Sequence, residues 1–433
     1  MIQVAAPQIY AKIEVLLDLW SRKSELANGH PFLAQADVYN GTLDVIFAVT
    51  FGLDAEDSTT TAALRLLYTG SAIELPADID KPVEFPELTF PPVFRSILHL
   101  TEIMGVASRM PSPRLYLWFQ KQLPRTRKAF RLKEEFISRE LKRGLDKFLA
   151  GEQTSRSALE EILQREVAAA AKENRPPVYT SRAIYDEVES SSLFLTVQTT
   201  NTQQLFGFLA AGHDTTATTM VRALKAITDN QSAQQRLRSE LRKAFSAAVA
   251  EHRNPTVEEI IRTSIPYLDA VLEEFTRTSL TFGAVERAAT VDTVVLGHRI
   301  PKGTTIIMTT SGASFFSRPF DIPEELRSET AQKARHQAKS WSVDDMAEFK
   351  PERWLVGEKG SEVFDSTAGP QLAFGLGPRG CYGRRMAFLQ LRIFTVLLIW
   401  KFELLGCEGV QGLMAAEQKE KRQYFVRLAH NGA

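Results

Sequence analysis

The stretch Phe374-Gly375-Leu376-Gly377-Pro378-Arg379-Gly380-Cys381-Tyr382-Gly383 constrains this chain more than any other. Glycine reaches backbone conformations that other residues resist, and it lets backbone come close to a ligand. Directly after Gly383 the sequence turns to Arg384-Arg385-Met386-Ala387-Phe388-Leu389-Gln390-Leu391-Arg392, a run rich in good helix formers. Cys381 therefore belongs to a tight loop just ahead of a helix. The N–H groups at a helix start carry partial positive charge and Arg379 adds a full one; both favour thiolate over thiol. A thiolate on a rigid loop is a metal-ligand or nucleophile position. A lone cysteine is more often a small buried hydrophobe, so the surrounding letters decide. Five specified residues (Phe374, Gly377, Arg379, Cys381, Gly383) coincide by accident about once in a million starting positions at average residue usage.

Composition excludes several classes. Lys+Arg and Asp+Glu both number 52, so charge gives no hint of a nucleic-acid partner. Two cysteines, Cys381 and Cys407, exclude a disulfide scaffold and suit a reducing compartment. A 433-residue chain with 44% hydrophobic residues can bury a substantial core. Lys12, Glu14 and Asp18 interrupt any apolar signal-peptide core. No stretch reaches the roughly eighteen charge-free apolar residues of a membrane span. Ile393 to Trp400 reads instead as a buried helix.

Apolar residues at helical spacing mark most of the chain. Ile13, Leu16, Leu17 and Trp20 form one stripe, and Leu43 to Phe51 form a buried helix that stops at Gly52. Prolines exclude a continuous helix through 85–92. Residues 113–175 read as charged amphipathic helices with Leu132, Phe136, Ile137 and Leu141 on one face, and Arg127 to Arg143 as a solvated face. A long helix over about 202–229 carries Ala210-Ala211-Gly212-His213-Asp214-Thr215-Thr216 in its middle. Gly212 is costly in a helix interior. Thr215 can turn its hydroxyl onto the carbonyl one turn back and bend the helix. Small residues there let a flat ligand lie against backbone, and an acid beside an alcohol can relay protons. His213 is expected to face outward. Thr256 with Glu259 reads as a capping box, and Pro266 as a helix start. Glu274 and Arg277 share a helix face; in isolation such a pair is an exposed ion pair of little consequence. Asp292–Leu296 and Thr304–Thr309 read as strands joined through Gly297 to Gly303, residues 323–346 as a surface excursion, and Tyr424–Leu428 as a short strand.

The loop pattern Phe-x-x-Gly-x-Arg-x-Cys-x-Gly resembles the haem-binding loop of the cytochrome P450 family. Ala211-Gly212-His213-Asp214-Thr215-Thr216 is similar to that family's I-helix motif, Ala/Gly-Gly-x-Asp/Glu-Thr-Thr/Ser. Glu274-x-x-Arg277 resembles its K-helix pair, with Arg353 in Phe-Lys-Pro-Glu-Arg-Trp as the third member of a buried network. The resemblance implies a mainly α fold with a minor β region, one P450-like domain over residues 1–433. The chain is expected to begin near the family's D helix, N-terminally truncated, without the membrane anchor, first sheet strands, and B and C helices. The C-helix Trp-x-x-x-Arg that holds a haem propionate would then be absent. Residues 70–112 resemble the F–G region.

By the same resemblance Cys381 is the axial ligand of haem b (iron protoporphyrin IX). Phe374, Gly377, Arg379, Gly383, Ala211, Gly212 and Arg287 complete the cofactor contacts. Asp214 and Thr215 deliver protons, and Phe208, Phe282, Ala284 and Val285, with Ala211 and Thr215, face an apolar substrate. The implied activity is insertion of one oxygen atom of O2 into an apolar small molecule. Electrons come from NADPH-cytochrome P450 reductase or a similar donor, whose acidic surface Arg384 and Arg385 help receive. The implied setting is secondary metabolism at the cytosolic face of the endoplasmic reticulum membrane; the long polar insert resembles fungal members. Three alternatives stand beside it: a non-catalytic P450 remnant, a haem-thiolate isomerase or dehydratase that needs no external electrons, and a hydrolase using Cys381 with a histidine such as His298.

Overall fold

Helical apolar spacing becomes helices in the computed structural model, which describes residues 2–52, 58–69, 73–86, 92–107, 110, 112–151, 157–177, 204–279, 281, 283–337, 339–358, 360–406 and 424–431. Contacts divide the chain into two units, Met1–Ala217 with Gly409–Phe425, and Thr218–Glu408 with Val426–Ala433. The whole is mainly α with small sheets, as the sequence leads one to expect.

In the first unit α1 (Ile2–Ala27), α2 (Gln35–Phe51) and α3 (Thr59–Tyr68) pack together. Further along come α4 (Pro92–Ala107), α5 (Pro113–Gln122), α6 (Pro124–Leu149) and α7 (Ala158–Lys172). The helix α8 (Gln204–Asp229) starts here and continues into the second unit. Gly52 ends α2 in the left-handed conformation, φ 70°, and its amide donates to Ala48 O at 2.8 Å. Only glycine reaches that conformation without steric cost. Phe47 is the hub of the core, with ring centroids 4.9 Å from Phe94 and 5.5 Å from Phe136. Ile97, Leu141, Leu159 and Leu209 close around it.

Phe136, Ile137 and Leu141 are buried as the α6 stripe requires. The outer face is solvated as expected, with Arg127, Lys128, Arg131, Glu134 and Glu135 exposed, but two charged residues fall within the buried stripe itself. Lys133 and Glu140 are buried, Lys133 with its ammonium 5.3 Å from the Phe130 ring centre and Glu140 between Arg139 and Arg143. Long charged side chains can lay their stems on apolar surface, which a count of charges does not show.

The second unit is built on α9 (Gln231–Ala244), α10 (Ser246–Ala250), α11 (Val257–Arg262), α12 (Pro266–Ser279), α13 (Glu329–Gln337) and α14 (Arg384–Lys401). Thr256 and Glu259 make the expected capping box, and Pro266 opens α12. The apolar run of α14 is buried from Leu389 to Ile399 and packs on α9, α11 and α12.

Strand β1 (Phe32–Leu33) lies in the first unit. In the second, β2 (Ala284–Ala288) pairs antiparallel with β5 (Thr305–Thr309). The stretch expected to join two strands is itself half strand: β3 (Thr293–Val295) turns at Leu296-Gly297 straight into β4 (His298–Ile300). Both turn residues have positive φ, 50° and 80°, which suits a two-residue hairpin turn. Strands β6 (Leu355–Val356) and β7 (Val363–Phe364) pair beside α12, and β8 (Phe402–Leu405) pairs with β9 (Phe425–His430). The polar excursion ends inside the core. Trp341 and Met346 are buried with Trp354 and Ala270, and the Trp341 and Trp354 rings meet edge to face at 4.8 Å.

Candidate functional site

The cysteine loop is a sequence of turns closed by backbone bonds. Gly375 and Gly377 have φ of 64° and 68°, positions where a side chain is strained. The Cys381 amide donates to Phe374 O at 2.7 Å, and the Gly380 amide to Gly377 O at 2.9 Å. Helix α14 begins at Arg384, as the residue types predict. Cys381 is a free, exposed thiol. The small-residue positions leave room: a Cβ at Gly377 would meet nothing within 4 Å, and one at Gly383 would stand 3.8 Å from Cys381 Sγ. Phe374 lies inside the loop base against Phe388, ring centroids 5.3 Å apart, while Arg379 is exposed. Cys407 lies outside the described residues.

Among the described residues no group of three His, Cys, Asp or Glu side chains could hold a metal ion. One exposed sulfur on a rigid, glycine-lined loop suits an iron that brings its own equatorial donors, which is the donor set haem requires. The residues present fit that group.

Glu274 and Arg277 are not a surface pair. Their side chains are 0% and 1% exposed and bonded at two points, Nη2 to Oε1 at 2.7 Å and Nε to Oε2 at 2.8 Å. Arg353 Nε donates to Glu274 Oε1 at 3.1 Å, Trp354 Nε1 to Oε2 at 2.9 Å and the Lys350 amide to Oε1 at 2.8 Å. Asp345 receives Arg353 Nη1, and its carboxyl is held below the usual range by its bond to Lys350 and then by Arg353. The three residues singled out in sequence thus meet. Trp354 and the Lys350 amide were not foreseen as members, although both lie in the same Phe-Lys-Pro-Glu-Arg-Trp segment.

The polar turn of α8 also takes the shape expected of it. Thr215 Oγ1 donates to Ala211 O at 2.5 Å, sharing the carbonyl that the helix ladder uses. Ala211 and Asp214 are exposed. Gly212 has a packing reason: a Cβ there would stand 2.7 Å from Ile46 Cδ1 of α2. His213 is where expectation fails. It is buried, its Nε2–H donates to Tyr39 O at 3.0 Å, and its ring meets the Tyr39 ring edge-on at 5.6 Å. The absent side chain at Gly212 admits α2 close enough to cover the neighbouring residue.

Burial pushes the His213 imidazole below its ordinary pKa, against the opposing pull of the Tyr39 carbonyl and Asp214. The unfolded chain then binds the extra proton first, so His213 contributes stability above about pH 6.5 that is lost as pH falls toward the folded pKa. The stability advantage of wild type over His213→Gln is expected to shrink between about pH 8 and about pH 5.5. Denaturant titrations at both ends check this; a gap independent of pH would contradict it.

Ala284, Val285 and Arg287 lie on β2, in register with Thr309, Met308 and Ile306. Ala284 and Val285 are half-buried; Arg287 is exposed and its Nη1 donates to Glu286 O at 2.7 Å. Phe282 lies outside the described residues, as does the side chain of Phe208 on α8. Asp214 and Thr215 belong to the first unit and Cys381 to the second.

Two residues at the loop escaped the sequence reading. Arg384 Nη2 donates to Glu273 Oε1 at 3.0 Å, and Gln371 Nε2 donates to Thr276 Oγ1 at 3.1 Å. Glu273 is buried, which raises its carboxyl pKa against the pull of Arg384. The available signal was Arg384 itself, a cation in the first turn of a helix, where the macrodipole disfavours it.

A fold of this kind with a cysteine loop, an acid–alcohol helix turn and a buried Glu-x-x-Arg network defines a class of haem-thiolate protein. The family model for cytochrome P450 matches residues 7–329 and 331–428. Cytochrome P450 monooxygenase TRI13 of Fusarium sporotrichioides is 36% identical over 430 residues, 94% of this chain and 70% of that protein. Cytochrome P450 monooxygenase xilC of Penicillium rubens is 34% identical over 435 residues, 99% of this chain and 72% of that one. A solved cytochrome P450 structure superposes with a TM-score of 0.59 at 16% identity, over 99% of this chain and 75% of that one, which shows the fold. The chain belongs to the cytochrome P450 family, of the type found in fungi. Its enzyme class is that of a monooxygenase and its cofactor is haem.

Proposed function

We propose that Cys381 holds the haem iron through its thiolate and that the chain inserts one oxygen atom of O2 into an apolar small molecule. The observation that carries this is the exposed Cys381 sulfur on a loop closed by its own amide and followed at once by a helix. Phe374, Gly377, Arg379 and Gly383 shape that loop. The bound haem supplies the activation of O2. Cys381 supplies charge to the iron, and Arg384 and Arg385 help receive the acidic surface of the electron donor. Asp214, exposed to solvent, would take up protons and Thr215 would relay them, its hydroxyl releasing Ala211 O to pass its proton on and taking a replacement from the Asp214 side. Ala211 keeps the helix surface low for cofactor contact beside Gly212, whose own missing side chain seats α2, Arg287 takes a propionate, and Phe208, Phe282, Ala284 and Val285 favour an apolar substrate. Electrons come from NADPH-cytochrome P450 reductase or a similar donor. A single domain over residues 1–433 and a place in secondary metabolism belong to the same proposal.

The test is the reduced carbon monoxide difference spectrum of the purified chain supplied with haem. The Soret band is expected at the long wavelength of thiolate-ligated haem, and Cys381→Ala is expected to abolish it. A folded chain that takes up no haem would turn the reading to a non-catalytic remnant. Turnover without any electron donor would turn it to an isomerase or dehydratase.

No helix among the described residues is long and apolar enough to cross a membrane. Helix α5 favours peripheral attachment to the cytosolic face of the endoplasmic reticulum. Leu115, Trp118 and Phe119 are exposed, Arg114, Lys121 and Arg125 are exposed beside them, and residues 112–133 contain no acid. Apolar groups with basic neighbours suit an anionic lipid surface. Sedimentation with phosphatidylserine vesicles is expected to fall severalfold in a Trp118→Ser, Phe119→Ser variant; equal binding by both would exclude α5.

A further inference from the structure

Both ends of the cysteine loop converge on one buried acidic residue, Glu273, one end on its carboxylate and the other on its main-chain carbonyl and the adjoining Thr276 hydroxyl. Glu273 stands next to Glu274 in α12, and successive side chains on a helix point about 100° apart. Glu274 therefore enters the Arg277–Arg353–Trp354 network while Glu273 faces elsewhere. At the C-terminal end of the loop, Arg384 Nη2 donates to Glu273 Oε1 at 3.0 Å. At the N-terminal end, Gln371 Nε2 donates to Thr276 Oγ1 at 3.1 Å and reaches Glu273 O at 3.4 Å. Thr276 Oγ1 in turn donates to Glu273 O at 2.9 Å and lies 3.5 Å from Glu273 Oε2. Gln371 Oε1 accepts the Ala373 amide, so the same side chain sets the backbone just before Phe374. The Arg384 guanidinium also lies over Phe374 and Phe388, 5.7 and 5.5 Å from their ring centres. Phe374 O is the acceptor of the Cys381 amide.

The charge pattern makes the same point. Helix α14 opens on Arg384 and Arg385 with no acid in its first turn, a placement that the helix dipole opposes. Glu273 supplies the missing negative charge from a different helix. Local rules broken in this way mark places where another requirement dominates, here a fixed cation at the end of the cysteine loop.

We propose that Glu273 is a positioning residue for Cys381, holding the loop on α12 through Arg384 at one end and Thr276 and Gln371 at the other. The proposal rests on the reading of Cys381 as haem ligand. Glu273 touches no reacting atom; it fixes the loop from which the sulfur projects and ties it to the helix that carries the Glu-x-x-Arg network.

Two measurements test it, on Glu273→Ala, Arg384→Gln, Arg384→Lys and Gln371→Ala. In the haem-loaded protein, reduced with dithionite under carbon monoxide, the long-wavelength band is expected to decay about tenfold or more faster in Glu273→Ala, which removes the anchor of Arg384, and in Arg384→Gln, which leaves the buried carboxylate without its partner. Arg384→Lys, which keeps the charge, is expected to recover most of the lifetime, and Gln371→Ala to fall between. In the cofactor-free chain, hydrogen exchange at the Cys381 amide is expected to accelerate while the buried turns of α14 from Leu389 to Ile399 keep their protection. A purely structural role would loosen both together. Should Glu273→Ala fail to fold, Arg384→Gln carries the test, its side chain being 48% exposed. Unchanged band lifetime and unchanged Cys381 protection in the charge-removing variants would overturn the proposal. If Cys381→Ala keeps the long-wavelength band, the ligand reading fails instead, and the exchange measurement still judges the clamp.

Discussion

Glu274→Ala is expected to leave the second unit without enough stability to persist as a folded body. The carboxylate is wholly buried and accepts five hydrogen bonds, from Arg277 Nε and Nη2, Arg353 Nε, Trp354 Nε1 and the Lys350 amide. Its removal strands two buried guanidinium groups with no opposing charge, save what Asp345 offers Arg353. Breaking one buried ion pair costs about 3–5 kcal/mol, against a total stability of about 5–15 kcal/mol. Arg277→Lys is the informative companion. Arg277 uses all its N–H groups: two on Glu274 and three on the carbonyls of Phe315, Met346 and Glu348. Lysine has three donors on a point charge, so it cannot hold both the carboxylate and the carbonyl ring. The order expected in urea is wild type, then Arg277→Lys, then Glu274→Ala, with the last giving little soluble protein. Tryptophan fluorescence is the probe, because Trp341 and Trp354 are packed on this network. A Glu274→Ala midpoint within the equivalent of about 1 kcal/mol of wild type would contradict the argument.

What could be read in advance follows from how far apart the cooperating residues are. The loop before α14 was legible because Gly375, Gly377, Gly380 and Gly383 surround Cys381 within ten residues, and a helix-forming run follows directly. The Glu274–Arg277 pair was legible as a pair, but its burial was not. Three residues of spacing describe an exposed ion pair and a buried one equally well, and only the family pattern with Arg353 separated them. His213 misled because a polar residue beside Asp214 reads as solvated. Its cover comes from Tyr39, 174 positions away, and no local period reports that. The same reason hid Trp341 and Met346 within a polar stretch, and Glu273 behind a more familiar neighbour. Burial of a polar side chain is decided by tertiary packing, whereas helix starts, capping boxes and glycine turns are decided within a few residues.

Asp44→Ala is expected to detach α3 from the first unit, and Asp44→Asn to be nearly as damaging. Asp44 sits in the middle of the apolar helix α2, where a carboxylate has no local reason to be. Its Oδ2 accepts Ser58 Oγ at 2.6 Å, the Thr60 amide at 2.8 Å and Thr60 Oγ1 at 2.6 Å; its Oδ1 accepts the Thr59 amide at 2.8 Å and Thr59 Oγ1 at 2.9 Å. Asp44 thereby satisfies the amides at the start of α3 from another helix, and its charge opposes the positive end of that helix. Ser58 completes the arrangement, capping α3 through the Thr61 amide while donating to Asp44. Hydrogen bonds to a charged group contribute about 1.5–3 kcal/mol each and do not add simply, so a loss of about 4 kcal/mol is the expected scale for alanine. Asparagine preserves the shape and still fails, because every group pointing at Asp44 is a donor. One of its two oxygens becomes an NH2 that faces donors, and the charge is gone. Equilibrium denaturation should place the two variants within about 1 kcal/mol of each other, with amide exchange accelerated across Thr59–Tyr68. If Asp44→Asn stays close to wild type, the carboxylate's charge matters little and the α3 start is held mainly by its own Ser58 cap.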